Sequence, residues 1–229
     1  MMYVISDIHG HFDSFMELLK RIQFSDNDEL YILGDVIDRG PNPIITLNYA
    51  LSKPNIHLIR GNHEQMMLDS FAFFEDELCP TNMMKNWISN GGYTTFTQFS
   101  ELLLQEKIEL LTKISKLPYY IIKNNNILIH AGISCNENNI DFITDKFTIM
   151  NFMDKLDTDD LLWDRDMVHT NFQIKGYHIY CGHNPIPHIF KNIDGIYKTK
   201  GYTLIDCGVY FYNGKLACYC IDTDEVIYE

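Results

Sequence analysis

Positive charge is scarce in this chain. Eighteen Lys and Arg stand against 31 Asp and Glu, a formal net charge of −13 at pH 7. Nucleic-acid binders draw their affinity from basic surface, so the balance argues against a general nucleic-acid binder and no nucleic-acid partner is expected. The same deficit repels phosphate esters at long range, unless metal cations and one or two arginines reverse the field locally. Long apolar runs are missing too: nothing approaches the roughly 20 residues a bilayer-spanning helix requires, and no membrane partner is expected. Met1–Ser6 is too short for a signal-peptide apolar region and runs straight into a polar cluster, so the expected compartment is the cytoplasm. The six cysteines (Cys79, Cys135, Cys181, Cys207, Cys218, Cys220) lack C-x-x-C spacing and, without a secretory segment, are expected to stay reduced. Internal repeats and low-complexity stretches are absent.

What is present suits one well-filled globular domain over residues 1–229, with 46% hydrophobic and 21% charged residues. The organising stretch is Leu33–Gly40, L-G-D-V-I-D-R-G. The apolar run Glu29–Leu33 before it reads as a buried strand, and Gly40, Pro41 and Pro43 after it cannot continue one. Asp35, Asp38 and Arg39 therefore fall at a strand's carboxyl end, where open α/β sheets place ligands. Taken alone, that stretch reads equally as a surface turn with an Asp–Arg ion pair. Two similar clusters weigh against this: Ser6-Asp7-Ile8-His9-Gly10 follows the strand Met2–Ser6, and Arg60-Gly61-Asn62-His63-Glu64 follows the strand Asn55–Ile59.

Between these strands the spacing predicts helices. Phe15, Leu18, Leu19 and Ile22 make one stripe, starting at Asp13 or Ser14 with Ser14 and Glu17 as a capping box. A second helix begins near Pro43 and runs through Ile45, Leu47 and Leu51. Alternating strands and helices imply parallel strands with right-handed crossovers, so all three polar clusters leave the same sheet edge. Residues 65–117 read as a helical cap broken by Asn90-Gly91-Gly92, with Leu110, Leu111, Ile114 and Leu117 as one stripe. Its aromatics, Trp87, Tyr93, Phe96 and Phe99, read as the cap's own core, with Trp87 or Tyr93 open to substrate stacking instead. From Tyr119 on, the short runs Tyr119–Ile122, Ile127–His130, Tyr177–Cys181, Thr203–Asp206 and Leu216–Ile221 suggest a second, largely antiparallel sheet. His130 and His183 end two of these strands.

The strand-end residues are Asp7, His9, Asp35, Asp38, Arg39, Arg60, Asn62, His63, His130 and His183. Carboxylates, imidazoles and an amide without a thiol suit Mn²⁺, Fe or Zn²⁺. They are too many for one ion but enough for two that share a carboxylate, the arrangement that clamps attacking and leaving oxygens and acidifies a bridging water.

The motifs S-D-I-H-G-H, G-D-V-I-D-R-G and R-G-N-H-E, followed by H-A-G-I at His130 and G-H-N-P at His183, resemble those of the calcineurin-like metallophosphoesterases. More narrowly they are similar to the phosphoprotein phosphatases and their compact bacterial and phage-type Ser/Thr members. The resemblance implies an α/β fold with two mixed sheets packed as a central sandwich flanked by helices. It implies two divalent ions, Mn first and Fe, Zn, Ni or Co as alternatives. Asp7 and His9 would bind one, Asp35 would bridge, and Asn62, His130 and His183 would bind the second. His63 would be the general acid oriented by Asp38, with Arg39 gripping the phosphoryl oxygens and Arg165, in Trp163-Asp164-Arg165, as a second clamp. Arg60 would support its loop. The implied reaction is hydrolysis of phosphoserine or phosphothreonine, with some phosphotyrosine, in a phosphoprotein or phosphopeptide by a metal-bridging hydroxide, releasing inorganic phosphate. The rival is a symmetrical diadenosine tetraphosphate hydrolase; an inactive scaffold is disfavoured because every ligand position is filled. Asn184 stands where relatives usually carry Thr, and Gly208–Asn213 is shorter than the substrate-shaping loop of the eukaryotic members. The remaining histidines, His11, His57, His169, His178 and His188, read as surface or structural.

Overall fold

The computed structural model describes residues 1–71, 81–133, 139–140 and 146–229. Cys79 and Cys135, and the 72–80 part of the helical region, lie outside the described residues; Cys181, Cys207, Cys218 and Cys220 are free thiols. The first half runs β1 (Met2–Ile5), α1 (Phe12–Arg21), β2 (Glu29–Ile32), α2 (Pro43–Ser52), β3 (Ile56–Leu58), α3 (Asn62–Phe71), α4 (Thr81–Trp87), α5 (Tyr93–Ser100) and α6 (Leu104–Ser115). The second half runs β4 (Tyr120–Lys123), β5 (Asn126–Ile129), β6 (Asn139–Ile140), α7 (Lys146–Met153), α8 (Thr158–Trp163), β7 (Gln173–Ile174), β8 (His178–Cys181), α9 (Ile186–Ile189), β9 (Tyr197–Lys198), β10 (Tyr202–Leu204), β11 (Ala217–Cys220) and β12 (Glu225–Tyr228).

Two five-stranded sheets form, ordered β12-β11-β1-β2-β3 and β4-β5-β8-β10-β9. Alternation along β1 shows the layering. Val4 joins Tyr31, Ile129, Ile179, Leu204 and Tyr219 in a core between the sheets, while Tyr3 and Ile5 turn to the other face and pack with Phe15, Leu18, Leu47, Met67 and Ile114 of the helices. Trp87, Phe99 and Leu110 belong to that same helix-side core, which α3–α6 thus share with α1 and α2.

The parallel order of β1, β2 and β3 agrees with the sequence, but the second sheet differs from it. Only its edges are antiparallel, β4 on β5 and β9 on β10; β5, β8 and β10 are parallel neighbours, and β11 leaves this sheet to pair antiparallel with β1. A short apolar run reads alike in either direction, and the clue lay in burial: Ile127, Leu128 and Ile129 are all fully covered, as strands with both faces packed must be.

Two helix details also differ. The first helix begins at Phe12 with no side-chain cap, so Ser14 lies inside its first turn and the Ser14–Glu17 capping box does not form; Asp13 in that turn and Lys20 and Arg21 in the last oppose the helix dipole favourably. In α2 the buried face is Ile44, Leu47 and Ala50, with Ile45 facing solvent.

Candidate active site

Six parallel strands end at one place. After β1 come Asp7 and His9, after β2 Asp35, Asp38 and Arg39, and after β3 Asn62 and His63 at the start of α3. His130 follows β5, His183 follows β8 and Asp206 follows β10. Six of these residues turn sharply: φ is positive at Asp7 (52°), His9 (47°), Asp35 (53°), Asp38 (71°), Arg39 (65°) and His183 (64°). Each such non-glycine conformation costs of order 1–3 kcal/mol and survives only where the surroundings enforce it. Two glycines permit the close approach. A Cβ on Gly61 would meet Asp35 Oδ1 at 2.2 Å, and one on Gly182 would meet Asp7 Oδ2 at 2.2 Å.

The side chains converge. Asn62 Oδ1 lies 2.8 Å from His130 Nε2 and 2.9 Å from His183 Nδ1, and His130 Nε2 lies 3.5 Å from Asp35 Oδ1. His9 Nε2 lies 3.8 Å from Asp35 Oδ2 and 4.0 Å from Asp7 Oδ1. Backbone bonds set the tautomers: His9 Nδ1 donates to the Ile37 carbonyl (2.9 Å) and His130 Nδ1 to that of Leu33 (2.6 Å), which turns both Nε2 lone pairs inward. Asp7 Oδ2 accepts from the Ser6 hydroxyl and, at 3.0 Å, from the His183 amide. Asp35 therefore stands between two groups of ligand atoms.

This donor set fits cations. Among the described residues, His9, Asp35 and His63, and again Asp35, His130 and His183, place ligand atoms within 4.8 Å of one another. The inward lone pair of His130 faces the carbonyl oxygen of Asn62, an acceptor against an acceptor that a shared cation relieves. Burial, then Asp7 and Glu64, hold the Asp35 carboxyl well above its ordinary range. Burial, then His63 and Arg39, hold His9 well below the usual imidazole range, and burial followed by His130 does the same to His183. A buried cation compensates both kinds of group, because it takes the carboxylates ionised and the imidazoles neutral.

Beside this centre, His63 Nδ1 lies 2.6 Å from Asp38 Oδ2. Asp38 is held from three further sides: the Trp87 indole donates to Oδ2 (2.8 Å), the Thr95 hydroxyl donates to Oδ1 (2.5 Å) and itself accepts the Asp38 amide (2.9 Å). Burial still outweighs the Thr95 and Trp87 bonds and pushes the Asp38 carboxyl up to about 7. His63 Nε2 is 3.8 Å from Asp35 Oδ2, and burial, Arg39 and His130 hold its imidazole well below the usual range.

Arg39 donates to His9 Nε2 and lies with Cζ 4.1 Å over the Tyr210 ring. Arg165 sits 3.5 Å from Asn184 Oδ1, whose amide nitrogen donates to the Asp164 carbonyl at 2.9 Å. Both arginines line a cavity of about 510 Å³ with His63, Trp163, Tyr210 and Phe211. Arg60 turns away, bonding the Tyr119 hydroxyl, Gln65 and the Ser115 carbonyl.

Sequence reasoning passed over several residues. Glu64 is fully buried and accepts four backbone amides, of Asp35, Val36, Ile37 and Gly61, and so ties two site loops together. It stands in the quoted R-G-N-H-E motif, but an acidic residue in a helix's first turn is too ordinary to single out. Trp87 is core, yet its N–H is spent on Asp38. Tyr210, from the loop noted only for being short, meets His9 edge-on at 5.0 Å. His169 and His188, read as surface or structural, line the cavity.

Comparison with known proteins places the chain. The calcineurin-like phosphoesterase family matches residues 2–220. A serine/threonine-protein phosphatase 1 of Salmonella typhimurium is 28% identical over 191 residues, which cover 80% of this chain and 78% of that protein. A symmetrical bis(5'-nucleosyl)-tetraphosphatase of Haemophilus ducreyi is 29% identical over 136 residues, 58% of this chain and 45% of that protein. Among solved structures, a putative diadenosine tetraphosphatase superposes with a TM-score of 0.66 at 15% identity, covering 100% of this chain and 92% of that one, a likeness of fold. With two mixed sheets flanked by helices and a cluster of oxygen and nitrogen donors at their common edge, this chain belongs to the calcineurin-like phosphoesterases.

Proposed function

We propose that the protein is a binuclear-metal phosphatase that hydrolyses phosphoserine and phosphothreonine, and phosphotyrosine to a lesser degree, in cytoplasmic proteins. The observation that carries this reading is the meeting of Asn62, His130 and His183 on one side of Asp35 with Asp7 and His9 on the other. Two divalent cations there, Mn²⁺ first, supply an acidified water and neutralise phosphoryl charge. The chain's own groups do the rest. Arg39 and Arg165 hold the phosphoryl oxygens as planar forks, and the approaching dianion raises the His63 imidazole against the burial, and after it the Arg39 charge, that otherwise depress it. Asp38 keeps His63 Nδ1–H in place so that Nε2 delivers its proton to the leaving alkoxide. Residues 1–229 act as one domain, with 65–117 as the cap that brings Trp87 and Thr95 to Asp38.

Symmetrical hydrolysis of diadenosine tetraphosphate is the second reading. The similarity to a tetraphosphatase supports it, as do the flat faces of Trp163 and Phe211 in the cavity wall. The test offers the purified protein with Mn²⁺ a phosphoserine peptide and diadenosine tetraphosphate at equal concentration. Faster phosphate release from the peptide is expected; rapid ADP formation with negligible peptide turnover reverses the order.

A further inference from the structure

Asp206 is a buried carboxylate that neither the six ligand positions nor the His63–Asp38 pair employs. It follows β10 and is 1% exposed. Its Oδ1 accepts the Gly208 amide at 2.9 Å, whereas Oδ2 is buried with no hydrogen-bond partner. The backbone leaves it little room to swing aside, because the Asp206 carbonyl accepts the Ile186 amide and the Ile205 amide donates to Cys181, both at 2.9 Å. Burial, then Asp7, hold its carboxyl well above the ordinary range, and the Gly208 amide, Arg39 and Arg165 only partly oppose them; its own charge acts on Tyr210. A carboxylate oxygen shut away from water beside a second carboxylate is costly, and it persists where a positive charge compensates it. Arg39, which donates to His9, and Arg165, 3.5 Å from Asn184, offset it only in part. The remaining source of positive charge is the cation position formed by Asp7, His9 and Asp35.

We infer that Asp206 is a positioning carboxylate for that cation: it adds negative charge beside Asp7, and its free oxygen accepts a hydrogen bond from the cation's hydration shell. The inference rests on the two-cation reading and assigns Asp206 to one of the two positions. Partners of this kind typically change metal affinity 10–100-fold. Asp206→Asn removes the charge and keeps an oxygen for the Gly208 amide; Asp206→Ser removes the charge and frees volume.

Mn²⁺ binding is measured by calorimetry and equilibrium dialysis, and melting is followed with and without Mn²⁺. In both variants the dissociation constant of one Mn²⁺ rises about 10–100-fold, while the other stays within twofold. The metal-free melting temperature is held or raised, since an uncompensated charge is gone, and the rise on adding Mn²⁺ shrinks. Two unchanged Mn²⁺ constants overturn the inference. So does a lowered metal-free melting temperature, or failure to fold, since either means that Asp206 serves the fold. A wild-type chain that binds no Mn²⁺ sinks the two-cation reading itself, and this inference with it.

Discussion

Replacing Trp87 by Phe probes how the acid is held. The substitution keeps a ring against Phe71 (5.7 Å) and Phe96 (6.5 Å) and deletes the N–H that reaches Asp38 Oδ2 at 2.8 Å. A hydrogen bond to a charged acceptor is worth about 1.5–3 kcal/mol. With the space left by the smaller ring, the expected loss is about 2–4 kcal/mol, or roughly 5–15 °C in melting temperature for a chain of this length. Packing alone would give part of that, so the discriminating readout is the pH profile. The Trp87 N–H favours the ionised form of Asp38, whose carboxyl already sits at about 7. Removing the donor raises it further, Asp38 becomes neutral at a higher pH, and the acid limb of kcat moves up. Activity on p-nitrophenyl phosphate with Mn²⁺ should therefore fall more at pH 6 than at pH 8. Phe99→Leu, in the same core but with no hydrogen bond to give, serves as control: it should lower stability and leave the acid limb in place. Equal fractional losses at both pH values, or the same profile shift in the control, would refute the reasoning.

His63→Asn should retain two Mn²⁺ while turnover falls about 10²–10⁴-fold, the usual worth of a positioned acid; loss of metal would mean that His63 is a ligand. Glu64→Ala strands four amides in the interior and should cost about 3–5 kcal/mol in urea unfolding, whereas Glu64→Gln should lose less. Mn²⁺ affinity should increase as pH rises above the ordinary carboxylate range, with protons released on binding. Asp35, held above its ordinary range, must shed a proton before it can ligate, while His9 and His183, held below theirs, are already neutral; calorimetry in buffers of different ionisation enthalpy counts the protons. Chelation should lower the melting temperature, since a cation at 100 times its dissociation constant contributes about 2.7 kcal/mol.

Much of the site was readable because its motifs are local. Asp35, Asp38 and Arg39 are neighbours in sequence, as are Asn62 and His63, and each group follows an apolar run that reads as a buried strand. What resisted reading is non-local. Trp87 and Thr95 act on Asp38 across 49 and 57 residues. Nothing in a lone aromatic or threonine distinguishes core packing from a hydrogen bond made at that range. The second sheet was misread for a similar reason: strand direction depends on where the crossovers through α7, α8 and α9 return the chain, and periodicity carries no sign.

The sequence by itself determined the chemistry on offer: which side chains stand at strand ends, that they are oxygen and nitrogen donors without thiols, and that an acidic chain needs cations to meet a phosphate ester. Only the tertiary structure decided that the strand ends of both sheets are one place. Two sets of three parallel strands must aim at a common edge, six residues must be forced into left-handed backbone, and Glu64 must gather four amides for the donors to face each other. The physical reason is that residue type travels with the chain, whereas convergence is a property of packing, enforced by contacts between segments that the sequence keeps far apart.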